Sequence, residues 1–207
     1  MELTQVITSR RSIRKFKPQR VPRDVIRSIL DLARWAPSAH NAQPWRLIVI
    51  DDYEVKGRLA VEIGKVWLSD MLKDGVSRDE AETLVKLRTW NRITKSPVVI
   101  IACLDTKDVR KFPDARRQKA EYLMAVQSVA TYVQTLLLAA YDHELGACWL
   151  CTPLFCQSAV RKVLSLPETF EPQAMIIIGL PDEKPTPPQR KPLHEFLRLN
   201  RWPRPRT

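Results

Sequence analysis

Ser9-Arg10-Arg11-Ser12-Ile13-Arg14 and, one helix later, Ala36-Pro37-Ser38-Ala39-His40-Asn41-Ala42-Gln43-Pro44-Trp45 are the stretches that decide the fold. The first puts three guanidiniums and two hydroxyls into six residues. A guanidinium's planar fork suits phosphate, because it makes two parallel charge-assisted hydrogen bonds. The second is a turn of small and amide side chains closed by Pro44. It can present Ser and Asn groups to a planar polar ligand without steric cost. Between them, Pro22 suits a first helical position, and Val25, Ile26, Ile29, Leu30 and Ala33 recur at helical spacing. Pro37 stops the pattern, so one helix is predicted from 22 to about 35.

Outward from these stretches, helices and strands alternate. Leu3, Val6 and Ile7 predict a short helix over 2–9. Residues 45–50 read as a strand, apolar on both faces and hence interior. Residues 53–69 and 78–90 predict two helices with a thin apolar stripe, an excursion over about 53–90 that projects and is partly exposed. Residues 98–104 read as a buried strand and 105–117 as a polar loop. A helix over about 118–141 is apolar on most sides, which places it inside a domain or across a subunit interface. A strand at 146–150, a loop at 152–155, a helix at 158–164 and a strand at 174–179 follow. Six prolines between positions 181 and 203 predict an extended arm over about 181–207, with a turn or two of helix near 193–197.

Composition narrows the function. The 207 residues suit one domain, and an apolar share of 44% argues against disorder. No charged start followed by an apolar run marks a secretory signal, and the longest apolar runs, 97–104 and 136–141, fall far short of a membrane span. A cytoplasmic protein with no membrane partner is the default. The net charge of +11 favours anionic partners without choosing among them. With only five glycines and no G-x-G-x-x-G, a dinucleotide-binding doubly wound sheet is disfavoured. Of the four cysteines, Cys148 and Cys151 have dithiol spacing, but on a strand they point to opposite faces; all four read as inert thiols, and no metal site is expected. No Ser-His-Asp set or carboxylate pair is evident. His143 and His194 read as surface or cap residues. Arg198, Arg201, Arg204 and Arg206 interleave with Trp202 in the tail, a pattern able to stack nucleic-acid bases, although no nucleic-acid partner is expected.

The two opening stretches resemble the entry signature of the nitroreductase superfamily, homodimeric enzymes that bind FMN. Arg10, Arg11, Ser12, Arg14 and Phe16 match its Arg-Arg-Ser-x-Arg-x-Phe segment. Pro37, Ser38, Asn41, Gln43, Pro44 and Trp45 match its Pro-Ser-x-x-Asn-x-Gln-Pro-Trp segment. The resemblance implies an α+β three-layer sandwich: a mostly antiparallel central sheet with helices on both sides, dimerised over a large surface through the long helix. From Val66 to Pro181 the chain is also similar to the C-terminal nitroreductase-like domain of coenzyme F420 γ-glutamyl ligase. The matching pieces are Phe112-Pro113-Asp114-Ala115-Arg116-Arg117, Ala120-Glu121, Leu136-Leu137-Leu138-Ala139 and Leu154-Phe155-Cys156. The ligase domain itself is missing from this chain.

Arg10 or Arg11 with Ser12 can bind the FMN phosphate, and Arg190 resembles the family's C-terminal phosphate arginine. Charge-assisted bonds contribute about 1.5–3 kcal/mol each. Three supply roughly 5–9 kcal/mol, against about 8 for micromolar binding, so the ring must be buried too. Arg14 would face the N1 and C2 end, where the reduced ring carries charge. Pro37, Ser38, Ala39 and Asn41 would reach the flavin from the partner subunit, and backbone around Pro153 and Leu154 would face the N5 edge. Gly146, nearby, reads as a packing position. His40 is either a proton donor or a polar turn residue without chemistry. Arg116 and Arg117 are candidates for an anionic substrate. No side chain is expected to be catalytic in its own right, because the flavin carries the chemistry. The donor would be NADH, NADPH or reduced F420, and the acceptor a small electrophile such as a nitro compound, a quinone or a dehydro precursor of F420. The alternative is a non-catalytic binder of flavin or F420.

Overall fold

The computed structural model describes residues 2–202. Four strands form one antiparallel sheet: β1 (Trp45–Ile50), β2 (Val98–Asp105), β3 (Gly146–Leu150) and β4 (Phe170–Gly179), in the spatial order β1-β2-β4-β3. Helices α1 (Leu3–Ser9), α2 (Arg23–Ala33), α3 (Tyr53–Lys73), α4 (Arg78–Val85), α5 (Asn91–Thr94), α6 (Ala115–Asp142), α7 (Gln157–Val163) and α8 (Leu193–Phe196) complete it. The expected α+β sandwich is what the chain forms.

The three layers follow from the two-residue period of a strand. Every residue of β2 is buried. Val98, Ile100, Ala102 and Leu104 face one core with Ile29 of α2 and Val129, Val133 and Leu136 of α6. Val99, Ile101 and Cys103 face a second core with Leu59, Ala60 and Ile63 of α3 and Val160 of α7. Here α3 departs from the expected excursion. It is a layer of the sandwich, because Leu59, Ala60 and Ile63 share one helical face and lie fully buried on the sheet. The more exposed part is α4, where Ala81 is the buried residue.

The expected interior strand β1 is an edge strand, paired among the described residues with β2 alone. Its apolar faces have another cause. Trp45 and Leu47 meet the α2/α6 core while Ile48 and Ile50 meet the α3 core, so two-sided cover comes from the helix layers, not from a central place in the ladder. β4 begins four residues before the predicted 174. The β2 register slips between Ala102 and Cys103, leaving Gln173 as an extra residue, and a proline at 172 is tolerated beside such a bulge.

α6 starts at Ala115, inside the predicted loop, because the Asp114 side chain accepts the Arg117 backbone N–H at 2.9 Å. It ends where Glu144 takes a left-handed φ of 61° and the Leu145 N–H reaches the Ala140 carbonyl at 2.9 Å. By length and hydropathy α6 would pass as a membrane span, yet half of its most apolar window is buried in this fold, as in the core helix of a globular domain. Hydrogen bonds from the Arg117 backbone and then its guanidinium hold the Asp114 carboxyl below the usual range. The folded pKa thus lies under the unfolded one. The cap contributes fully above the ordinary aspartate pKa and is lost as pH falls through the depressed value. Asp114→Ala should therefore lower Tm at neutral pH, and its gap to wild type should close in acid; thermal melts at the two pH values check this.

Candidate active site

Residues 10–17 run extended beside the β3 edge. Ser12 bridges Ala147, and the Ile13 N–H donates to the Ala147 carbonyl at 3.0 Å. Farther on, Phe16 pairs with Pro181 and the Lys17 N–H reaches Leu180 O at 2.9 Å. Two glycines facing each other across β3 and β4 admit this strip. A Cβ on Gly146 would lie 2.8 Å from Ile13 Cβ, and one on Gly179 would lie 2.7 Å from Pro97 Cδ and 2.9 Å from Phe16 Cδ1. Gly146 is the packing position that its place in the sequence suggested.

The strip is rich in positive charge, with the Glu183 carboxylate beside Arg14 and Lys15. Arg10 Nη1 and Arg11 Nε are buried and find no hydrogen-bond partner among the described residues. Burial, then the Arg11 guanidinium and that of Arg190, hold Arg10 below the usual arginine range. Arg190 of the exposed arm, distant in sequence, thus lies within electrostatic range of Arg10. Arg14 is exposed, and its backbone N–H and that of Lys15 donate to Glu183 Oε1, the latter at 3.0 Å. Beside it stands Arg92, a residue that sequence reasoning missed. Burial, with Arg14 and Arg88 close by, lowers its pKa too. A π-helical turn (Lys86–Trp90) between α4 and α5 carries Arg88 and delivers Arg92 here. π turns concentrate at functional sites, and Arg88 and Arg92 at i and i+4 were the one available signal. Under this cluster lies Cys148, whose thiol burial pushes up despite Arg14, Arg92 and Arg10. It stays protonated and is no nucleophile. Cys103 is pushed up to about 12 and Cys156 to about 11, also by burial. No cluster of metal-ligating side chains occurs among the described residues.

The second stretch lies at the other edge of the sheet. It is strained: His40, Asn41 and Gln43 have φ of 56°, 53° and 47°, a region costly for residues with a Cβ. Hydrogen bonds over-determine it. Ser128 Oγ accepts the Ala39 N–H at 3.1 Å, Thr131 Oγ1 donates to Pro37 O at 2.8 Å, and Ser38 Oγ accepts the Gln43 N–H at 3.1 Å. His40 Nε2 stands 3.3 Å from Glu121 Oε1. Three interstrand steps of about 4.8 Å put the two edges roughly 14 Å apart.

The remaining candidates are scattered. Pro153 and Leu154 occupy a 3-10 turn (Thr152–Phe155) directly after β3, with Pro153 buried and Leu154 exposed. Arg117 is committed to Asp114 and lies 4.6 Å over the Phe112 ring, while Arg116 is exposed beside it. His143 is the α6 cap residue and meets Ser28 Oγ at 3.2 Å. In the tail, Arg198 stacks 4.7 Å over Trp202, whereas Arg204 and Arg206 lie outside the described residues.

The structure is thus an antiparallel α+β sandwich with a guanidinium cluster on one edge of its sheet. The chain belongs to the nitroreductase family, whose model matches residues 7–180. It is 30% identical, over 89% of its own length and 80% of the relative's, to a candidate NADH dehydrogenase/NAD(P)H nitroreductase of Methanothermobacter thermautotrophicus. Among solved structures it resembles a BluB-like flavoprotein from Clostridium difficile (TM-score 0.79, 25% identity, 97% of this chain and 100% of that one). It also resembles a nitroreductase from Desulfovibrio desulfuricans solved in complex with FMN (TM-score 0.73, 25% identity, 98% and 99%).

Proposed function

We propose that two copies of this chain hold FMN between them and pass hydride from NAD(P)H to a small electrophilic acceptor. The observation that carries this is the guanidinium cluster. Arg10 Nη1 and Arg11 Nε, buried without partners, have the donor chemistry that a phosphate satisfies. FMN is the cofactor of this oxidoreductase; when bound it supplies the hydride chemistry at N5. Arg10, Arg11, Ser12 and Arg190 would hold its phosphate. Arg14 and Arg92 supply positive charge for the N1 and C2 end, where charge accumulates on reduction. Backbone of Pro153 and Leu154 lines the N5 side, and Pro37, Ser38, Ala39 and Asn41 come from the second copy.

The separation of the two stretches within one chain supports this division of labour. So do the apolar side chains left exposed on α1, on α6 and at the end of α2: Leu3, Ile7, Leu32, Trp35 and Leu123. The similarity to an NAD(P)H nitroreductase favours a nicotinamide donor over reduced F420. A dehydro precursor of F420 as acceptor rests on sequence resemblance alone, and an anionic substrate on the basic charge and the exposed Arg116.

The purified protein should be yellow, sediment as a dimer, and lose its flavin colour on anaerobic addition of NADH or NADPH. Leu123→Arg, on the outward face of α6, should yield a monomer that retains no flavin. Colour that no nicotinamide bleaches would favour the non-catalytic binder. A colourless protein that takes up no FMN would refute the proposal.

A further inference from the structure

A cleft of about 360 Å³ opens beside the strained turn, lined among others by Ala39, His40, Pro44, Arg110, Glu121 and Ser128. Its floor holds a carboxylate that is almost buried. The Glu121 side chain is 10% exposed and meets the His40 imidazole, whose own side chain is 53% exposed. The chain invests backbone strain in this contact: His40 stands at φ 56° between Ala39, tied to Ser128, and Asn41, itself left-handed. Strain over-determined in this way clusters at functional sites. A buried carboxylate against one imidazole nitrogen sets the tautomer and leaves the other nitrogen for chemistry.

We propose that His40 is the proton donor for reduction of the acceptor, with Glu121 as the residue that positions it. The acceptor class is an unsaturated group that gains hydrogen at both ends, such as a quinone or a conjugated C=C or C=N bond. Two electrons and one proton reach one end as hydride from the reduced cofactor. The second proton comes to the other end from the outer nitrogen of the His40 imidazolium. Solvent at the open side of the cleft returns that proton, and the nicotinamide donor restores the hydride. Nε2–H stays on Glu121 throughout. Other charges face the pair from each neighbouring element. They are Lys107, Asp108 and Arg110 from the segment after β2, with Arg46 of β1 bound to Asp108 at 2.6 Å and to Asp105 at 3.4 Å. The cations at the rim suit an acceptor that carries negative charge as it is reduced. This inference rests on the proposed reading in which residues 37–41 of one copy reach the cofactor of the other.

The test uses the FMN-loaded dimer, reduced anaerobically with NADH and mixed with either a water-soluble quinone or ferricyanide, which takes electrons without a proton. Asn tolerates a left-handed φ, so His40→Asn keeps the turn. It should lower the quinone-to-ferricyanide rate ratio by about 100-fold, the lower range for a general acid. Glu121→Gln should lower it by a smaller factor. Free imidazole should restore quinone reduction in His40→Gly. On flavin-free protein, nitrogen NMR of the imidazole should show the proton on Nε2 in wild type and a tautomer mixture in Glu121→Gln. A ratio unmoved in the variants of an enzyme that binds FMN and is reduced by NADH overturns this inference alone. An equal loss with both oxidants does the same, since it reports a displaced cofactor. A wild type that takes up no FMN overturns the proposed function along with it.

Discussion

Arg10→Gln should weaken FMN binding by roughly 10- to 150-fold, the equivalent of the about 1.5–3 kcal/mol of one charge-assisted hydrogen bond, while leaving the flavin-free protein at least as stable as wild type. The two effects have opposite signs because they share one cause. Without an anion, the Arg10 guanidinium is half-buried within electrostatic range of Arg11 and Arg190, and its Nη1 has no partner among the described residues. Desolvation and like charge both count against it in that state. Gln removes the charge and keeps a donor, so the empty fold loses nothing while the anion loses its partner. Calorimetric titration with FMN and thermal melts of the flavin-free protein measure the two sides. Unchanged affinity would remove Arg10 from the phosphate site; a lower Tm would show that its guanidinium is satisfied after all.

Gly146→Ala should destabilise the fold by about 1–3 kcal/mol through overpacking, out of a typical total of about 5–15, and should cost FMN retention as well. The new methyl carbon would lie 2.8 Å from Ile13 Cβ and Cγ2. Rotating the Ile13 side chain does not help, because its Cβ is itself one of the contacts and its backbone is held to Ala147 at 3.0 Å. The whole strip has to move, carrying Arg10, Ser12 and Arg14 with it. Denaturant unfolding and FMN titration of the same variant report the two losses together. Wild-type stability with weakened FMN binding would mean that the strip yields without cost. Wild-type values in both would show that it does not direct the arginines.

Much of this was legible in the chain because the signals are local. Pro22 and the spacing of Val25, Ile26 and Ile29 located α2, and the apolar run from Trp45 located β1 to the residue. The long reach of α6 was visible in its apolar pattern, although its first turn was hidden until the Asp114 cap was seen. Two arginines and a serine in succession marked a candidate anion site without any structure. The misreadings share one origin. β1 looked central because it is covered on both faces, and α3 looked exposed because its stripe is narrow; in each case the missing fact was which layer lay opposite.

Sequence by itself determined the element types, the basic motif and the amide-rich turn, since each depends on neighbours within a few positions along the chain. Tertiary structure alone decided three things. It brought Arg92 within electrostatic range of Arg14 and Arg190 within that of Arg10, it set Glu121 beside His40 from 81 residues away, and it put the two motifs on opposite edges of the sheet. Those placements follow from packing whole helices and strands against one another. That free energy is spread over many buried contacts, and no short stretch of residues encodes it.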